Sequence, residues 1–346
     1  MLTRRLGADG PEISVLGLGS WALSGPYQHG WGPVDDADSI EAIRHAVEAG
    51  VNWIDTAPVY GFGHAEEVVG RAIQPFRAGE DVYVFTKCGR RLDASSGSEI
   101  VYDLRPESIR AECDESLRRL GLERIDLYQF HWPDYGTGTP LEESWGTMVE
   151  LVSEGKVRWL GVCNFSVELL ERCKAIRHVD SLQPPLSLVN HHARTELIPW
   201  CRENGTGVIV YSPMASGLLT GAFSHTRIQE LAPDDWRRFS PAFQEPRLSR
   251  SLELVERLGP LAERLQCGLP ALAVAWTLSV TGVTGAIVGA RRREQVDGWL
   301  SAASLELDVE ITQEIERLTQ ETGAAIKTAP LPPIPPPPRP SRSPRW

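Results

Sequence analysis

Four ionisable side chains stand at the ends of three apolar segments of the chain: Asp55, Tyr60, Lys87 and His131. A carboxylate, a phenol, an ammonium and an imidazole can together protonate a carbonyl oxygen while another group supplies hydride. A phenol has an ordinary pKa of about 10, so it is a poor acid at neutral pH unless a neighbouring cation stabilises its phenolate. The residue types therefore predict Tyr60 as the proton donor and Lys87 as the cation. Asp55 would hold the ammonium in place, and His131 would orient the carbonyl oxygen.

Each of these residues also has an ordinary structural interpretation. A Tyr that follows an Asp by five positions can simply contribute to packing, and a Lys at a strand end is often solvated. Their occurrence at the ends of three consecutive apolar segments favours catalysis, because the strands of a parallel barrel carry catalytic groups at their C-terminal ends.

Strand-like apolar runs alternate with amphipathic helical stretches along the chain. The runs lie at residues 13–18, 51–55, 82–86, 125–130, 157–162, 181–186, 207–211 and 283–288. The helical stretches include Asp38–Ala49, Pro106–Leu120, Leu141–Ser153, Val167–Ile176, Leu252–Gln266 and a further helix at about 309–321. Eight strands alternating with helices predict an α/β fold in which a parallel sheet closes into a (β/α)8 TIM barrel. An open doubly wound sheet is the alternative, but Gly17–Gly19 leads into a loop and not into a helix, so the dinucleotide fingerprint fails.

Three segments lie outside this alternation within the barrel. Residues 3–14 predict an N-terminal β-hairpin with its turn at Asp9–Gly10. Two long loops, 90–105 and 222–250, follow the third and seventh strands on the side where substrate sites form. We therefore expect these loops to shape the substrate pocket.

The end of the chain differs in composition from the rest. We assign residues 1–328 to a single barrel domain and residues 329–346 to a disordered tail rich in Pro and Arg, with an extended polyproline run at Pro335–Pro338. The tail could alternatively bind a proline-recognising domain or form a basic contact patch.

The composition argues against several classes of function. The chain of 346 residues is 42% hydrophobic and 23% charged, as in ordinary globular proteins. Its net charge is -11 and its body has no basic run, so nucleic acid is not an expected partner. The N-terminus has no apolar signal region, and no apolar stretch approaches the roughly 18 residues of a membrane span. We therefore expect a cytoplasmic protein with no membrane partner.

No pattern of cysteines or histidines predicts a disulfide framework or a metal site. The six cysteines are scattered without a C-x-x-C pair, which indicates reduced thiols. His191 and His192 are adjacent, so in an extended chain they would point to opposite faces and could not share a metal.

Six motifs carry a resemblance to a known family: Asp55–Gly61, Thr86–Lys87, His131–Asp134, Gly161–Ser166, Tyr211–Gly221 and Gly289–Gln295. In these motifs the chain resembles the aldo-keto reductase superfamily, in particular the bacterial branch related to the β-subunits of voltage-gated potassium channels. The resemblance covers residues 3–321. It implies a barrel that binds NADP(H) without a Rossmann fold and passes hydride to an aldehyde or ketone. It also implies that Asp55, Tyr60, Lys87 and His131 perform the acid–base chemistry.

The resemblance extends to the cofactor site. By it, Asn164 and Gln183 bind the nicotinamide carboxamide and Tyr211 stacks on the nicotinamide ring; Asn164 could instead cap the helix that starts at Ser166. The other implied cofactor-binding residues are Ser212, Gly217, Leu218, Gly221, Gly289, Arg291, Arg292 and Gln295. The glycine-punctuated loop could offer backbone N–H groups to a pyrophosphate, although an ordinary loop would have the same composition.

The arginines at 291–293 precede the last barrel helix, where the helix dipole favours anions over cations. An anion such as the 2′-phosphate of NADP(H) would explain them, since guanidinium groups bind phosphate well. A solvated basic turn is the alternative. The chain departs from the family at Trp299, where an Asn often contacts adenine, so the strictness of NADP(H) over NAD(H) stays open.

Aromatic residues are expected to line the substrate pocket: Trp21, Tyr27, Trp31 and Trp132. They could alternatively cap the barrel core. The sequence therefore predicts an NADPH-dependent reductase of a small-molecule aldehyde or ketone, able to run in reverse. The alternative is a regulatory subunit that binds NADP(H) as a redox sensor, as the channel β-subunits do. The physiological substrate and the oligomeric state are left open.

Overall fold

Eight parallel strands close into a barrel in the computed structural model, which describes residues 1–26, 30–92, 100–232 and 235–326. Within those ranges the strands are β1 (Thr3–Arg5), β2 (Glu12–Ser14), β3 (Leu16–Gly19), β4 (Trp53–Asp55), β5 (Tyr83–Cys88), β6 (Arg90–Leu92), β7 (Ile100–Tyr102), β8 (Ile125–Phe130), β9 (Val157–Cys163), β10 (Ser181–Gln183), β11 (Gly207–Tyr211) and β12 (Gly285–Gly289). The helices are α1 (Asp36–Glu48), α2 (His64–Ile73), α3 (Pro106–Leu120), α4 (Leu141–Ser153), α5 (Val167–Lys174), α6 (Leu197–Asn204), α7 (His225–Gln229), α8 (Arg247–Arg264), α9 (Leu269–Ser279), α10 (Arg293–Leu300) and α11 (Val309–Thr322).

The barrel strands follow one another in chain order, and the last strand pairs with the first. The order around the barrel is β3, β4, β5, β8, β9, β10, β11 and β12. Closure occurs where β12 pairs in parallel with β3, with Leu18 opposite Val288. The predicted (β/α)8 barrel is confirmed and the open sheet is excluded. The predicted run 13–18 was wrong in one respect, because the chain leaves β2 at Ser14 and enters the barrel only at Leu16.

The barrel interior has an apolar layer near its N-terminal end. The buried side chains of this layer are Leu6, Ile13, Trp53, Phe85, Leu127, Ile209 and Ile287. Leu6 comes from the N-terminal hairpin, in which β1 pairs antiparallel with β2 as predicted. The hairpin turn is anchored to the barrel because Ala8 N donates to Gly205 O at 2.8 Å and Trp159 Nε1 donates to Asp9 O at 3.1 Å. The hairpin therefore closes the N-terminal end of the barrel.

Local sequence signals explain where the outer helices begin. Asp35 caps α1 by accepting from Ala37 N at 2.7 Å, and Asp308 caps α11 by accepting from Ile311 N at 2.8 Å. These side chains satisfy N–H groups that have no partner within a helix. Pro106 occupies the first turn of α3, where its missing N–H is tolerated, and Gly121 ends that helix with φ of 68°.

Both long loops contain structure that the sequence analysis did not predict. Segment 90–105 contains the antiparallel pair β6–β7, with Arg90 opposite Tyr102. Segment 222–250 contains α7 and short 3₁₀ turns, and its last residues already belong to α8, which begins at Arg247 instead of the predicted 252.

Two predictions cannot be compared with this fold. Tyr27 and the tail 329–346 lie outside the described residues. In the part of the chain that is described, every helix is too short or too polar to cross a bilayer.

Candidate active site

A polar layer lies directly above the apolar layer at the C-terminal mouth of the barrel. Side chains alternate across a strand, so residues two positions apart face the same side. Asp55, Lys87 and Gln129 follow the interior residues Trp53, Phe85 and Leu127 by two positions. Tyr211 and Gly289 follow Ile209 and Ile287 in the same way. The strand register thus places ionisable and amide groups around one opening.

A buried ion pair forms the centre of this layer. Lys87 Nζ lies 2.5 Å from Asp55 Oδ1 and donates to Thr56 O at 2.8 Å. The Lys87 side chain is fully buried and that of Asp55 is 3% exposed. Burial by itself would lower the pKa of Lys87, but the Asp55 carboxylate, with smaller contributions from Tyr60 and Cys163, more than offsets burial and raises the pKa above its ordinary value. Lys87 is therefore a permanent cation at neutral pH.

The second oxygen of Asp55 is held by two amides. Gln183 Nε2 donates to Asp55 Oδ2 at 2.9 Å, and Gln129 Nε2 donates to the same atom at 3.2 Å. Gln183 Nε2 also donates to Gln129 Oε1 at 3.1 Å, and Cys163 Sγ lies 3.8 Å from that oxygen. The predicted role of Gln183 at the nicotinamide stays a prediction, since here its amide orients Asp55. The sequence analysis missed Gln129 and Cys163, although strand alternation could have found both.

Tyr60 lies between the buried cation and His131. The Lys87 Nζ atom is 5.3 Å from the centroid of the Tyr60 ring, and the Tyr60 and His131 rings meet edge to face at 5.7 Å. His131 is 8% exposed, and its pKa is well below the ordinary value because of burial and then because of the nearby Lys87 and Arg90 cations. The imidazole is therefore neutral at pH 7 and can donate a hydrogen bond without competing for the proton of Tyr60. The structure brings all four predicted catalytic residues together.

Asn164 and Tyr211 form a hydrogen-bonded pair at the same opening. Asn164 Nδ2 donates to His131 O at 3.0 Å, and Tyr211 OH donates to Asn164 Oδ1 at 2.9 Å. Asn164 has φ of 62°, a left-handed conformation that Asn adopts more readily than most residues. The alternative that Asn164 caps the next helix is wrong, because the Ser166 hydroxyl accepts from Leu169 N and caps α5.

The loop after β11 has an unusual backbone. Ser212, Ala215 and Ser216 are non-glycine residues with φ of 57°, 49° and 57°, and Gly217 and Gly221 also have positive φ. Left-handed non-glycine residues are strained by about 1–3 kcal/mol each and concentrate at functional segments. Leu218 is 1% exposed and packs with Ile228, Phe243 and Leu248, so its side chain belongs to the core.

The arginines before α10 are poorly neutralised. The Arg291 guanidinium donates to the backbone carbonyls of Trp31, at 3.1 Å, and Pro33, while Arg291 N donates to Gln295 Oε1 at 2.7 Å. Arg292 is 71% exposed and lies 3.7 Å from Asp38. The helix begins at Arg293, so Arg291 and Arg292 precede it as predicted, and Arg293 is its first residue. Trp299 is 1% exposed, so its side chain belongs to the core.

An aromatic cluster lines one side of the mouth. Trp21 stacks on Trp236 at 5.3 Å, Trp31 meets both rings edge to face, and Trp21 lies 6.5 Å from Tyr60. The predicted pocket residues Trp21 and Trp31 are thus brought together. Trp132 is not part of this cluster and instead lies 6.4 Å from Tyr135. Trp236 was missed because nothing in a loop sequence shows which distant strand end it will contact.

Among the described residues, no group of three or more His, Cys, Asp or Glu side chains could hold a metal ion. The His191 ring stacks on Trp276 at 5.0 Å. All six cysteines are free, as their scattered positions indicate.

Comparison with known proteins gives a consistent result. The model of the aldo/keto reductase family matches residues 15–320. The aldo-keto reductase YhdN of Bacillus subtilis is 36% identical over 314 residues, covering 90% of this chain and 92% of its own. The NADH-specific methylglyoxal reductase of Escherichia coli is 36% identical over 311 residues, covering 87% and 93%. The structure of the glycerol dehydrogenase of Gluconobacter oxydans is similar with a TM-score of 0.83 and 35% identity, covering 94% of this chain and 97% of that chain.

Proposed function

The chain belongs to the aldo/keto reductase family, and we propose that it reduces an aldehyde or ketone to the alcohol with NADPH. The observation that carries this proposal is the buried Asp55–Lys87 pair beneath Tyr60, with a neutral His131 beside it. A phenol next to a fixed cation and a neutral imidazole is suited to protonating a carbonyl oxygen.

In this proposal each residue of the site has a separate task. His131 donates a hydrogen bond to the carbonyl oxygen and orients it toward Tyr60. Tyr60 gives its proton to that oxygen, and the charge of Lys87 stabilises the phenolate that remains. Asp55, fixed by Gln129 and Gln183, keeps the ammonium beneath the phenol. In the reverse direction Tyr60 accepts the proton of an alcohol.

The residues around the mouth fit a nicotinamide cofactor. When bound, the cofactor would supply the hydride. Tyr211 offers an aromatic ring and Asn164 an amide at the opening, and the strained loop 212–221 and the arginines before α10 suit phosphate groups. These residues would hold the cofactor, and the Trp21–Trp236 pair would exclude water from the opposite side.

Turnover and binding test the proposal in one experiment. Quenching of tryptophan fluorescence measures binding of NADPH and NADH, since Trp21, Trp31 and Trp236 line the mouth. Absorbance of the reduced nicotinamide then measures reduction of 4-nitrobenzaldehyde and methylglyoxal and, with the oxidised cofactor, oxidation of glycerol. We expect tight binding with turnover of an aldehyde. Binding without turnover of any of these compounds would instead favour a redox-sensing regulatory subunit.

The choice between the two cofactors depends on the arginines before α10. Arg292 is exposed and only loosely paired, so its guanidinium is available to a 2′-phosphate. We expect Arg292→Ala to weaken NADPH binding about tenfold, the effect of one charge-assisted hydrogen bond, and to leave NADH binding within about twofold. The relative from Escherichia coli is named as NADH-specific, so a preference for NADH is the alternative outcome of this test.

The neighbouring Arg293 supplies a matched control. It lies 3.9 Å from Glu41 and is 54% exposed, similar to Arg292 in charge and environment. Arg293→Ala should leave the ratio of the two dissociation constants unchanged. If Arg292→Ala weakens the binding of NADPH and NADH equally, Arg292 does not recognise the 2′-phosphate.

We also propose a cytoplasmic location and a small-molecule substrate as the partner. Five of the six free cysteines are buried and none forms a disulfide, which suits a reducing compartment.

A further inference from the structure

Arg90, at the C-terminal end of the barrel, has no acidic partner among the residues that the structure describes. Arg90 begins β6, three residues after Lys87. Its guanidinium carbon lies 5.5 Å from the centroid of the Tyr102 ring, on the paired strand β7. Its Nε atom is buried and has no hydrogen-bond partner among the described residues. Buried arginine donors are normally satisfied, so Arg90 is ready for a ligand that is an acceptor.

The carboxylates around Arg90 are already engaged. Asp103 is 2% exposed and accepts from both Arg91, at 2.8 Å, and Arg105, at 2.7 Å. Below the strand end, Glu112 accepts from Gly89 N at 3.1 Å. Burial raises the pKa of Glu112 to about 8, so this carboxyl is mostly protonated and neutral at pH 7. Within the described residues, these two carboxyl groups therefore do not neutralise Arg90.

Another described acid at this end of the barrel, Asp134, is held by its own loop. The Asp134 carboxylate accepts from Gly136 N at 2.8 Å, Thr137 N at 2.9 Å and Thr139 N at 3.2 Å. It is therefore occupied with backbone donors. The chain as a whole carries a net charge of -11, so an arginine without a described acidic partner is contrary to the composition.

The charge of Arg90 acts on both sides of the opening. It contributes, after burial and Lys87, to the low pKa of His131 at the end of β8. It also opposes the rise that burial causes in the pKa of Tyr211, at the end of β11. Strands β5 and β11 stand opposite each other in the barrel order. The backbone places Arg90 at this end of the barrel as well, because His131 N donates to Cys88 O at 2.9 Å and Arg90 follows Cys88 by two residues.

We propose that Arg90 determines the substrate class by binding a carboxylate carried on the carbonyl compound, on the side away from the reacting carbon. This inference rests on the proposed reductase function and names the substrate class of the same site. A guanidinium binds a carboxylate through two parallel hydrogen bonds, and the Tyr102 ring holds its plane in place. A neutral substrate would bring no anion to the guanidinium, so the site discriminates between aldehydes with and without a carboxylate.

Two aldehydes of nearly equal shape test this assignment. Nitro and carboxylate groups are both planar with two oxygens, so 4-nitrobenzaldehyde and 4-carboxybenzaldehyde differ chiefly in one negative charge. We expect Arg90→Met to lower the kcat/KM ratio of the carboxylated to the nitro substrate by about 10- to 100-fold relative to the unmodified protein. Arg90→Lys, which keeps the charge but loses the paired geometry, should lower the ratio less. Arg91→Met, which removes the adjacent arginine that pairs with Asp103, should leave the ratio unchanged.

A binding measurement separates this inference from the proposed function. Isothermal titration calorimetry without reduced cofactor compares the affinity of both aldehydes for the unmodified protein and for Arg90→Met. The unmodified protein could bind 4-carboxybenzaldehyde more tightly than 4-nitrobenzaldehyde, and Arg90→Met could remove this difference in affinity. If both results are found but neither aldehyde is reduced, the reductase proposal fails and the role of Arg90 stands. If turnover occurs but Arg90→Met changes both substrates alike, the role of Arg90 is overturned and the reductase remains. Absence of binding of either aldehyde would also overturn the role of Arg90.

Discussion

Tyr60→Phe is expected to lower kcat by about 10²- to 10⁴-fold, the usual contribution of a positioned general acid. The change removes only the hydroxyl group, so the ring contacts with Trp21 and His131 persist. Cofactor binding should therefore change little, and the loss should appear in kcat and kcat/KM alike. Steady-state reduction of 4-nitrobenzaldehyde and fluorescence quenching by NADPH measure the two quantities on the same preparation.

A remote phenol provides the control for this change. Tyr83 begins β5 at the closed end of the barrel, where its ring lies 6.1 Å from Trp159. Tyr83→Phe removes the same atom from the same residue type and should leave kcat within about twofold. Turnover by Tyr60→Phe at the rate of the unmodified protein would rule out Tyr60 as the proton donor.

Lys87→Met is expected to affect both stability and activity. The Lys87 side chain is fully buried, so its removal leaves the Asp55 carboxylate without a cation in the barrel interior. Breaking a buried pair from one side usually costs about 3–5 kcal/mol of unfolding free energy. We expect a loss of that size in urea denaturation, together with loss of carbonyl reduction, because the phenol loses the charge that stabilises its phenolate.

The double variant Asp55→Asn/Lys87→Met separates the two effects. It removes both charges and keeps a side-chain oxygen and amide between Gln129 and Gln183, so most of the lost stability should return. Activity should not return, since the cation is still missing. A Lys87→Met protein as stable as the unmodified protein would contradict the buried position of this pair.

The fold was predictable because strands and helices alternate with clear periodicity. All eight predicted runs overlap a barrel strand, and α3 and α4 have the predicted bounds. The four residues predicted to be catalytic also lie together, because each lies at or just after the C-terminal end of a barrel strand. The same alternation places Gln129 and Cys163 in the site. Gln129 precedes His131 by two positions, and Cys163 is the last residue of β9, so both could have been predicted.

Other parts of the site could not be found in this way. The strand Arg90–Leu92 contains two arginines and no alternation of apolar and polar residues, so its sequence predicted a loop. Trp236 contacts Trp21 across more than two hundred residues of sequence, and such a contact leaves no local signal. The early start of α8 did have a signal that was missed, because Pro246 directly precedes the first helical residue.

Closure of the barrel between β12 and β3 has a consequence for synthesis of the chain. Leu18 can pair early with Ile54 of β4, but its partner on the other side, Val288, is synthesised about 270 residues later. At translation rates of roughly 5–20 residues per second, this interval lasts about 14–54 s. During that time the apolar residues of the first barrel strand and the hairpin lack their final neighbours, so the nascent chain presents an unpaired strand edge to chaperones and to other chains.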